Sequence, residues 1–205
     1  MSDLISDVMS EERSIPYPRG LARGLLRLPI GLYRLGLGEV MNAAHIMILG
    51  TRGRKSGLAR YTAIEYRRHG SHLYVVSAWG ERPQWFRNLQ ASGAVLVQQG
   101  RRAFGARAEV VTDSGEALRV LHLFRRTAPY LYDPLIARMS DRAQIDERTL
   151  PEVSRAITII RLDPTPDAPP DLPPLRADFV WVWPLALVLA LLLISLTRSR
   201  PHEDA

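Results

Sequence analysis

The sequence contains no cysteine among its 205 residues. This absence excludes disulfide bonds, thiolate metal sites and a cysteine nucleophile. Histidine is also scarce, because only five occur, and none has metal-ligand spacing with carboxylates. A disulfide-stabilised domain and a metalloenzyme are therefore not expected, and no metal site is predicted.

Two familiar catalytic motifs are missing as well. The stretch GTRGRKSG, residues 50–57, superficially resembles a phosphate-binding Walker loop, but Arg54 stands where the glycine before the lysine belongs. Ser56 lies one place too late for the Gly-x-Ser-x-Gly turn of hydrolases. The sequence therefore predicts neither an ATP site of that kind nor a serine hydrolase.

Positive charge is what the chain has in excess. Its 27 Lys and Arg residues outnumber 21 Asp and Glu residues, which gives a net charge of +6 and indicates an anionic partner. Much of this charge lies in one turn that we call the basic turn, where cationic side chains surround Gly53 and Gly57: Arg52, Arg54, Lys55 and Arg60. Glycines let backbone N–H groups approach an anion, and guanidinium groups bind phosphate or carboxylate in bidentate fashion.

Composition alone leaves a solvated basic hairpin open as an alternative for this turn. Nucleic acid is not expected as a partner, because the turn lacks the interleaved aromatic residues of a single-strand groove.

Short segments rich in β-branched or aromatic residues begin at His45 and predict strands. Turn signals separate them at 53–57, 69–70 and 100, and helices are predicted at 81–93, with Gly93 as the stop, and at 113–131. Consecutive strands with a few inserted helices favour a mainly β, mostly antiparallel small barrel. The predicted strands are 45–51, 59–68, 72–79, 94–100, 102–111 and 156–162.

The amino-terminal part has two features. Residues 1–18 show no secretory signal pattern, so the bulk of the chain is expected in the cytoplasm. Residues 19–35 place arginines on one helical face and leucines on the opposite one, although Pro29 and Gly31 would divide the helix in two. This amphipathic segment could pack on its own domain or rest on anionic lipid.

The carboxy-terminal part breaks from the rest. Phe179 to Thr197 is an uncharged stretch that would span roughly 28 Å as a helix, close to the ~30 Å bilayer core, and Trp181 and Trp183 lie near its start. These features predict a membrane anchor formed by one transmembrane helix. The predicted organisation is an amino-terminal segment at 1–40, a barrel domain at 41–162, a proline-rich linker at 163–178, the transmembrane helix at 179–197 and a tail at 198–205.

Two motifs carry a resemblance to a known family. The run T-x-G-R-K-S-G-x-x-R, from Thr51 to Arg60, is followed at similar spacing by W-F-x-N-L, from Trp85 to Leu89. Together these residues resemble the deazaflavin-dependent nitroreductase and quinone reductase family, which uses coenzyme F420 on a split β-barrel of the FMN-binding type. The resemblance covers about residues 30–162.

The resemblance implies a set of site residues. F420 carries a phosphate and a polyglutamate tail, so the basic turn would hold both anionic groups, and the third strand and following helix would flank the ring. Tyr130 and Tyr132 would lie near the acceptor as hydrogen-bond donors. The implied cofactor-binding residues are Arg54, Lys55, Ser56, Gly57, Arg60, Ser77, Ala78, Trp79, Trp85 and Asn88.

These observations lead to a functional expectation: a membrane-anchored, F420H2-dependent oxidoreductase that passes a hydride to a quinone- or nitro-type lipophilic acceptor, such as a menaquinone. Membrane lipid and a homodimer partner are also expected. The alternatives are an FMN-dependent barrel oxidoreductase, whose single phosphate needs fewer cations, and a non-catalytic membrane-anchored module that binds an anionic cofactor.

Overall fold

The structure is a computed structural model that describes residues 20–127, 158–166, 169 and 171–198, without the side chains of residues 22, 23 and 195–198. Six strands in this part of the chain close into a barrel in the order β1-β2-β3-β6-β5-β4, and every neighbouring pair is antiparallel. The strands are β1 Ile46–Arg52, β2 Ala59–His69, β3 His72–Ser77, β4 Ala94–Gln99, β5 Arg102–Val110 and β6 Thr158–Thr165. The mainly β architecture expected from the sequence is therefore present.

Six helices accompany the barrel within the described residues. They are α1 Leu21–Leu25, α2 Leu28–Arg34, α3 Gly38–Ala43, α4 Gln84–Ser92, α5 Ser114–Thr127 and α6 Val182–Arg198. Alternating side chains of the strands fill the barrel, for example Met47 and Leu49 of β1. Helix α4 adds Phe86 and Leu89 to this core and ends at Gly93, whose φ of 67° suits a glycine after a helix.

The antiparallel register brings several connections to one end of the barrel. Strands β1, β3 and β5 end there, and β2, β4 and β6 begin there, as the pairs Arg52–Ala59 and Ser77–Thr158 show. Helix α4 leaves β3 and returns to β4 at this same end. We call it the basic end, because the basic turn connects β1 to β2 there.

The amphipathic amino-terminal segment is divided as its sequence indicated. Helix α1 stops at Leu25 and α2 starts at Leu28, so that Pro29 lies in the first helical turn, where a missing N–H costs little. Tyr33 of α2 is buried, and its hydroxyl contacts the carbonyl oxygens of Ile46 and Gln98 at 3.0 and 3.3 Å. Helix α2 therefore packs on its own barrel.

The proline-rich segment contacts the barrel as well. Strand β6 already includes Asp163–Thr165, and Leu172 is only 2% exposed. Gln98 binds Leu175 reciprocally, because its amide donates to the Leu175 carbonyl at 3.2 Å and its carbonyl accepts from the Leu175 N–H at 2.8 Å. The hydroxyl of Tyr61 donates to the Pro173 carbonyl at 2.6 Å. In this part of the chain the segment is a strap along the barrel.

The prediction of a transmembrane helix at 179–197 is wrong. Helix α6 has 17 residues and begins only at Val182, because the preceding residues form a turn in which the Phe179 N–H donates to the Arg34 carbonyl at 2.9 Å. Across the described ranges, no helix combines the length and the apolarity needed to cross a membrane. The predicted membrane-anchored localisation is wrong for the same reason, and the expected lipid partner has no support.

A cluster of charges joins β3, β5, β6 and α5 on the outside of the barrel. Arg161 contacts Glu116 at 3.2 Å, Glu109 at 2.8 Å and Asp163 at 3.2 Å. Hydrogen bonds to Glu116 and Asp163 raise the pKa of the Arg161 guanidinium. The hydroxyl of Tyr74 donates to Glu116 at 2.9 Å, and burial together with this bond raises the pKa of Tyr74 to about 12.

Replacing Tyr33 with phenylalanine tests how α2 is held. The Gly100 N–H donates to the Tyr33 hydroxyl at 3.2 Å in a buried position, so the substitution leaves this N–H without its partner. We expect the free energy of unfolding to fall by about 1–3 kcal/mol in chemical denaturation. Tyr61→Phe, which removes an exposed bond, serves as the control and should cost less. Equal losses in the two variants would contradict this account.

The raised pKa of Tyr74 predicts an alkaline effect. The ordinary tyrosine pKa is 10.0, so the unfolded side chain loses its proton before the folded one, and this contribution to stability declines as the pH rises from 10.0 to about 12. We expect Tyr74→Phe to lose less stability than the unmodified chain across this window, as measured by urea denaturation at several pH values. Parallel losses in both proteins would exclude the role assigned to Tyr74.

Candidate functional site

The basic turn is a closed loop with a defined backbone. The N–H of Gly53 donates to the Leu58 carbonyl at 2.8 Å, and the N–H groups of Ser56 and Gly57 donate to the Gly53 carbonyl at 3.1 and 2.7 Å. A Cβ at position 53 would lie 2.8 Å from the Ser56 Oγ, and Gly57 has a φ of 68°. Gly57 therefore suits its left-handed backbone, and a side chain at position 53 would displace the Ser56 hydroxyl and crowd the Leu58 carbonyl. The turn presents its exposed cations, Arg54 and Lys55, on this closed loop.

Asn88 of helix α4 holds this loop in place. Its side-chain carbonyl accepts a hydrogen bond from the Arg54 N–H at 3.2 Å, and its amide donates to the Thr51 Oγ1 at 3.4 Å. Asn88 is only 5% exposed, and its bond to Thr51 is buried, whereas its bond to Arg54 is partly buried. The packing of α4 in the barrel core thereby determines where the basic turn lies.

The Arg54 side chain makes a second link to α4. Its guanidinium donates to the Gln84 Oε1 at 2.9 Å. One turn further along the helix, Arg87 donates from Nε to the Glu81 carbonyl at 3.2 Å. Each of these two hydrogen bonds uses one of the five N–H donors of its guanidinium group.

A groove lies between the basic turn and α4, and we call it the arginine groove. It encloses about 410 Å³ and is lined by Arg54, Glu81, Arg82, Arg87 and Gln90. Three guanidinium groups against one carboxylate make it cationic. Among the described residues, the structure gives no ion pair to any of the three arginines.

A larger groove, of about 790 Å³, lies between β5 and the strap. Its charges are balanced, because Arg52 and Arg107 face Glu109 and Asp171, and Arg52 forms an ion pair with Asp171. An anion therefore has less to gain there than in the arginine groove.

The predicted ring-flanking residues occupy the same end of the barrel in different ways. Ser77 is buried, and its hydroxyl donates to the Gly80 carbonyl at 2.5 Å, so it closes the turn that contains Ala78 and Trp79. Trp85 is half-buried, packs against the barrel core and meets the Phe86 ring edge-on at 6.0 Å. Both Ser77 and Trp85 thus have structural contacts of their own.

The remaining predicted residues fall into two groups. Arg60 is exposed near the start of β2, at the foot of the basic turn. Tyr130 and Tyr132 lie outside the described residues, so the structure gives no position for them.

Sequence reasoning missed Gln84, Arg82 and Arg87. They stand in the segment ERPQWFR, where two arginines flank the helix start, and residues 84, 87 and 90 recur at the spacing of one helical face. This helical spacing of polar residues was the sequence signal that could have pointed to these site residues.

The fold and the site define a class of protein: an antiparallel barrel with a preorganised cationic loop at one end. The chain matches the model of the F420H(2)-dependent quinone reductase family over residues 32–145, which is more than half of its length. The chain therefore belongs to this family, which confirms the resemblance seen in its motifs. Membership implies coenzyme F420 as the cofactor.

Related proteins are known from mycobacteria. A protein of Mycobacterium tuberculosis strain H37Rv, named F420H(2)-dependent quinone reductase, is 32% identical over 94 residues, which are 42% of this chain and 63% of the relative. The protein of strain CDC 1551 gives the same values. The chain thus matches less than two thirds of the length of these relatives. A solved structure of an F420-H2 dependent reductase, FDR-A, is 20% identical, covers 58% of this chain and 93% of that chain, and has a TM-score of 0.43.

Substituting Asn88 with alanine tests the tether of the basic turn. The Arg54 N–H loses its acceptor, and the Thr51 hydroxyl loses its donor, so we expect unfolding to become easier by about 1–3 kcal/mol. Chemical denaturation measures this change. Gln90→Ala, on the exposed face of the same helix, is the matched control and should change stability by less than about 0.5 kcal/mol. A loss in Asn88→Ala no larger than in the control would show that the tether contributes nothing.

Proposed function

We propose that the protein is a reductase that transfers a hydride from reduced F420 to a lipophilic acceptor of the quinone or nitro type. Family membership supports the coenzyme and the class of reaction. The observation that carries the proposal is the basic turn, a cationic loop held by buried Asn88 at the end of a barrel.

The chemistry of the donor groups fits the coenzyme. The turn offers exposed guanidinium and ammonium groups together with the Ser56 hydroxyl, whereas the backbone N–H groups of Gly53, Ser56 and Gly57 bond within the loop, so the side chains are its donors for an anion. A phosphate with further carboxylates is the kind of ligand that such a set binds.

The residues of the basic turn would bind the anionic part of the coenzyme, and the residues of the turn after β3 would orient its ring. Arg54, Lys55, Ser56, Gly57 and Arg60 hold the phosphate and the start of the tail. The turn of Ser77, Ala78 and Trp79 lines the ring, and since the Ser77 hydroxyl is engaged with Gly80, its contribution comes from the backbone.

Trp85 and Asn88 support this arrangement from α4, Trp85 as part of the wall and Asn88 through its bond to Arg54. Tyr130 and Tyr132 are proposed to donate hydrogen bonds to the acceptor. When bound, the deazaflavin supplies the hydride, so the work of the protein is binding, orientation and exclusion of water. A homodimer stays a prediction.

Two other functions compete with this one. An FMN-dependent reductase would use a single phosphate, for which the basic turn and the arginine groove provide a surplus of cations. A non-catalytic module would bind the coenzyme without turnover, and only an assay with an acceptor separates it from an enzyme.

Binding to the full chain decides between the cofactors. We expect F420 to bind more tightly than FMN, as followed by ligand fluorescence, and Lys55→Ala to weaken F420 binding about tenfold, because one charge-assisted bond is lost. Arg101→Ala, at the opposite end of the barrel, is the matched control and should leave the affinity unchanged. Preferred binding of FMN would overturn the assignment.

Lys55 also allows a direct test of its position, because it is the only lysine in the chain. A lysine-directed acylating reagent should label this side chain readily in the free protein, since it is exposed, and F420 should protect it. Oxidation of F420H2 by a quinone then tests turnover. Binding and protection without turnover for any quinone or nitro acceptor would favour the non-catalytic module.

A further inference from the structure

We propose that the strap positions the basic turn for the coenzyme, and that Asp171 and Tyr61 are positioning residues for F420 binding. Neither side chain needs to touch the ligand, because both act on the strands from which the turn emerges. The inference rests on the proposed function. It assigns a role to a segment that lies beyond residues 32–145, the part of the chain that matches the family model.

The strap contacts the chain on both sides of the basic turn. Before the turn, the guanidinium of Arg52 forms an ion pair with the carboxylate of Asp171. After the turn, the hydroxyl of Tyr61 donates to the Pro173 carbonyl at 2.6 Å. Arg52 is the last residue of β1, and Tyr61 follows shortly after Ala59, the register partner of Arg52. The strap therefore joins the two strands close to where they enter the turn.

Both attachments lie on the outer face of the barrel. Met47 and Leu49 of β1 belong to the core, so strand alternation places Gly50 and Arg52 on the outer face. Tyr61 is the register partner of Gly50, and one of its ring carbons would lie 3.6 Å from a Cβ at position 50. The Tyr61 side chain thus lies beside β1 on the same face as Arg52 and reaches the strap there.

The inner face holds β1 at the preceding residue. Thr51 is only 1% exposed, and its hydroxyl accepts a hydrogen bond from the Asn88 amide at 3.4 Å. Successive residues are therefore bound from opposite faces of the sheet, Thr51 by α4 and Arg52 by the strap. The hydrogen bonds that close the basic turn at Gly53 lie within the loop, so the direction of the loop depends on how its two strands are held.

The strap can act as a brace because it is itself fixed to the barrel. Leu172 lies between the two attachment residues of the strap and is buried. Further along, Gln98 binds the backbone of Leu175 through both its amide and its carbonyl group. A loop that is held before the ligand arrives loses less conformational entropy on binding. Loosening the brace should therefore weaken the binding of the coenzyme.

Charge and positioning make opposite predictions for Asp171. Replacing this carboxylate removes a negative charge near the basic turn, so electrostatic attraction alone would strengthen the binding of an anionic coenzyme. Loss of the ion pair with Arg52 would instead loosen the turn and weaken binding. At about 0.15 M salt, exposed charges more than about 8 Å apart are largely screened, and a contact ion pair is screened less. We therefore expect positioning to dominate.

The test is a titration of F420 into full-length variants at about 0.15 M salt, followed by ligand fluorescence. We expect Asp171→Asn to bind about threefold more weakly, and Tyr61→Phe, which changes no charge, about twofold more weakly. Asp171→Glu keeps the carboxylate and should restore most of the affinity. Asp178→Asn is the matched control, because it removes the same charge from an ion pair with Arg34 of α2, and it should bind like the unmodified chain.

Amide hydrogen exchange in the free protein gives a readout that does not depend on the coenzyme. Asp171→Asn should speed exchange about threefold at residues 53–57, while residues 99–102, at the opposite end of the barrel, should exchange as in the unmodified chain. Circular dichroism and the denaturation midpoint verify that each variant is folded, which is expected for Asp171→Asn because Asp171 and Arg52 are exposed.

The outcomes separate this inference from the proposed function. Unchanged or tighter binding of F420 by Asp171→Asn would overturn the brace and leave the proposed function intact. Equal losses in Asp171→Asn and Asp178→Asn, or weaker binding without faster exchange at residues 53–57, would also overturn it. Faster exchange at both ends of the barrel would show a general loss of stability and would contradict it as well. Failure of the unmodified chain to bind F420 would overturn both proposals.

Discussion

The hydrogen bond from the Arg54 N–H to buried Asn88 is the interaction on which the candidate site depends. Asn88 lies on α4, and this helix is fixed because Phe86 and Leu89 on its other face belong to the barrel core. The loop closes on itself through backbone hydrogen bonds at Gly53, and the bond to Asn88 sets where the closed loop lies on the barrel. One buried amide thus converts core packing into a fixed position for Arg54, and through Gln84 for its guanidinium.

Helix α4 contributes both to the barrel core and to the candidate site. Its buried face completes the barrel, and its exposed face carries Arg87 and Gln90 of the arginine groove. Anion binding and folding therefore share one element.

The barrel could be predicted because its strands carry strong local signals. The turn glycines and the β-branched runs are short-range features, and Gly93 marks the end of α4. The basic turn was likewise predictable from its spacing. The arginine groove was not, since it depends on how α4 lies against the turn. The transmembrane prediction failed because the apolarity of residues 179–197 does not show where the helix begins. The Phe179 N–H donates to the carbonyl of Arg34, which is far away in the sequence, and the helix begins only at Val182.

The most direct test of the central claim is amide hydrogen exchange in the full chain with and without F420. The account predicts slower exchange at residues 53–57 of the basic turn and at residues 84–88 of α4, with residues 99–102, which connect β4 to β5 at the opposite end of the barrel, unchanged. Protection confined to the larger groove between β5 and the strap, or no protection anywhere at saturating coenzyme, would contradict it.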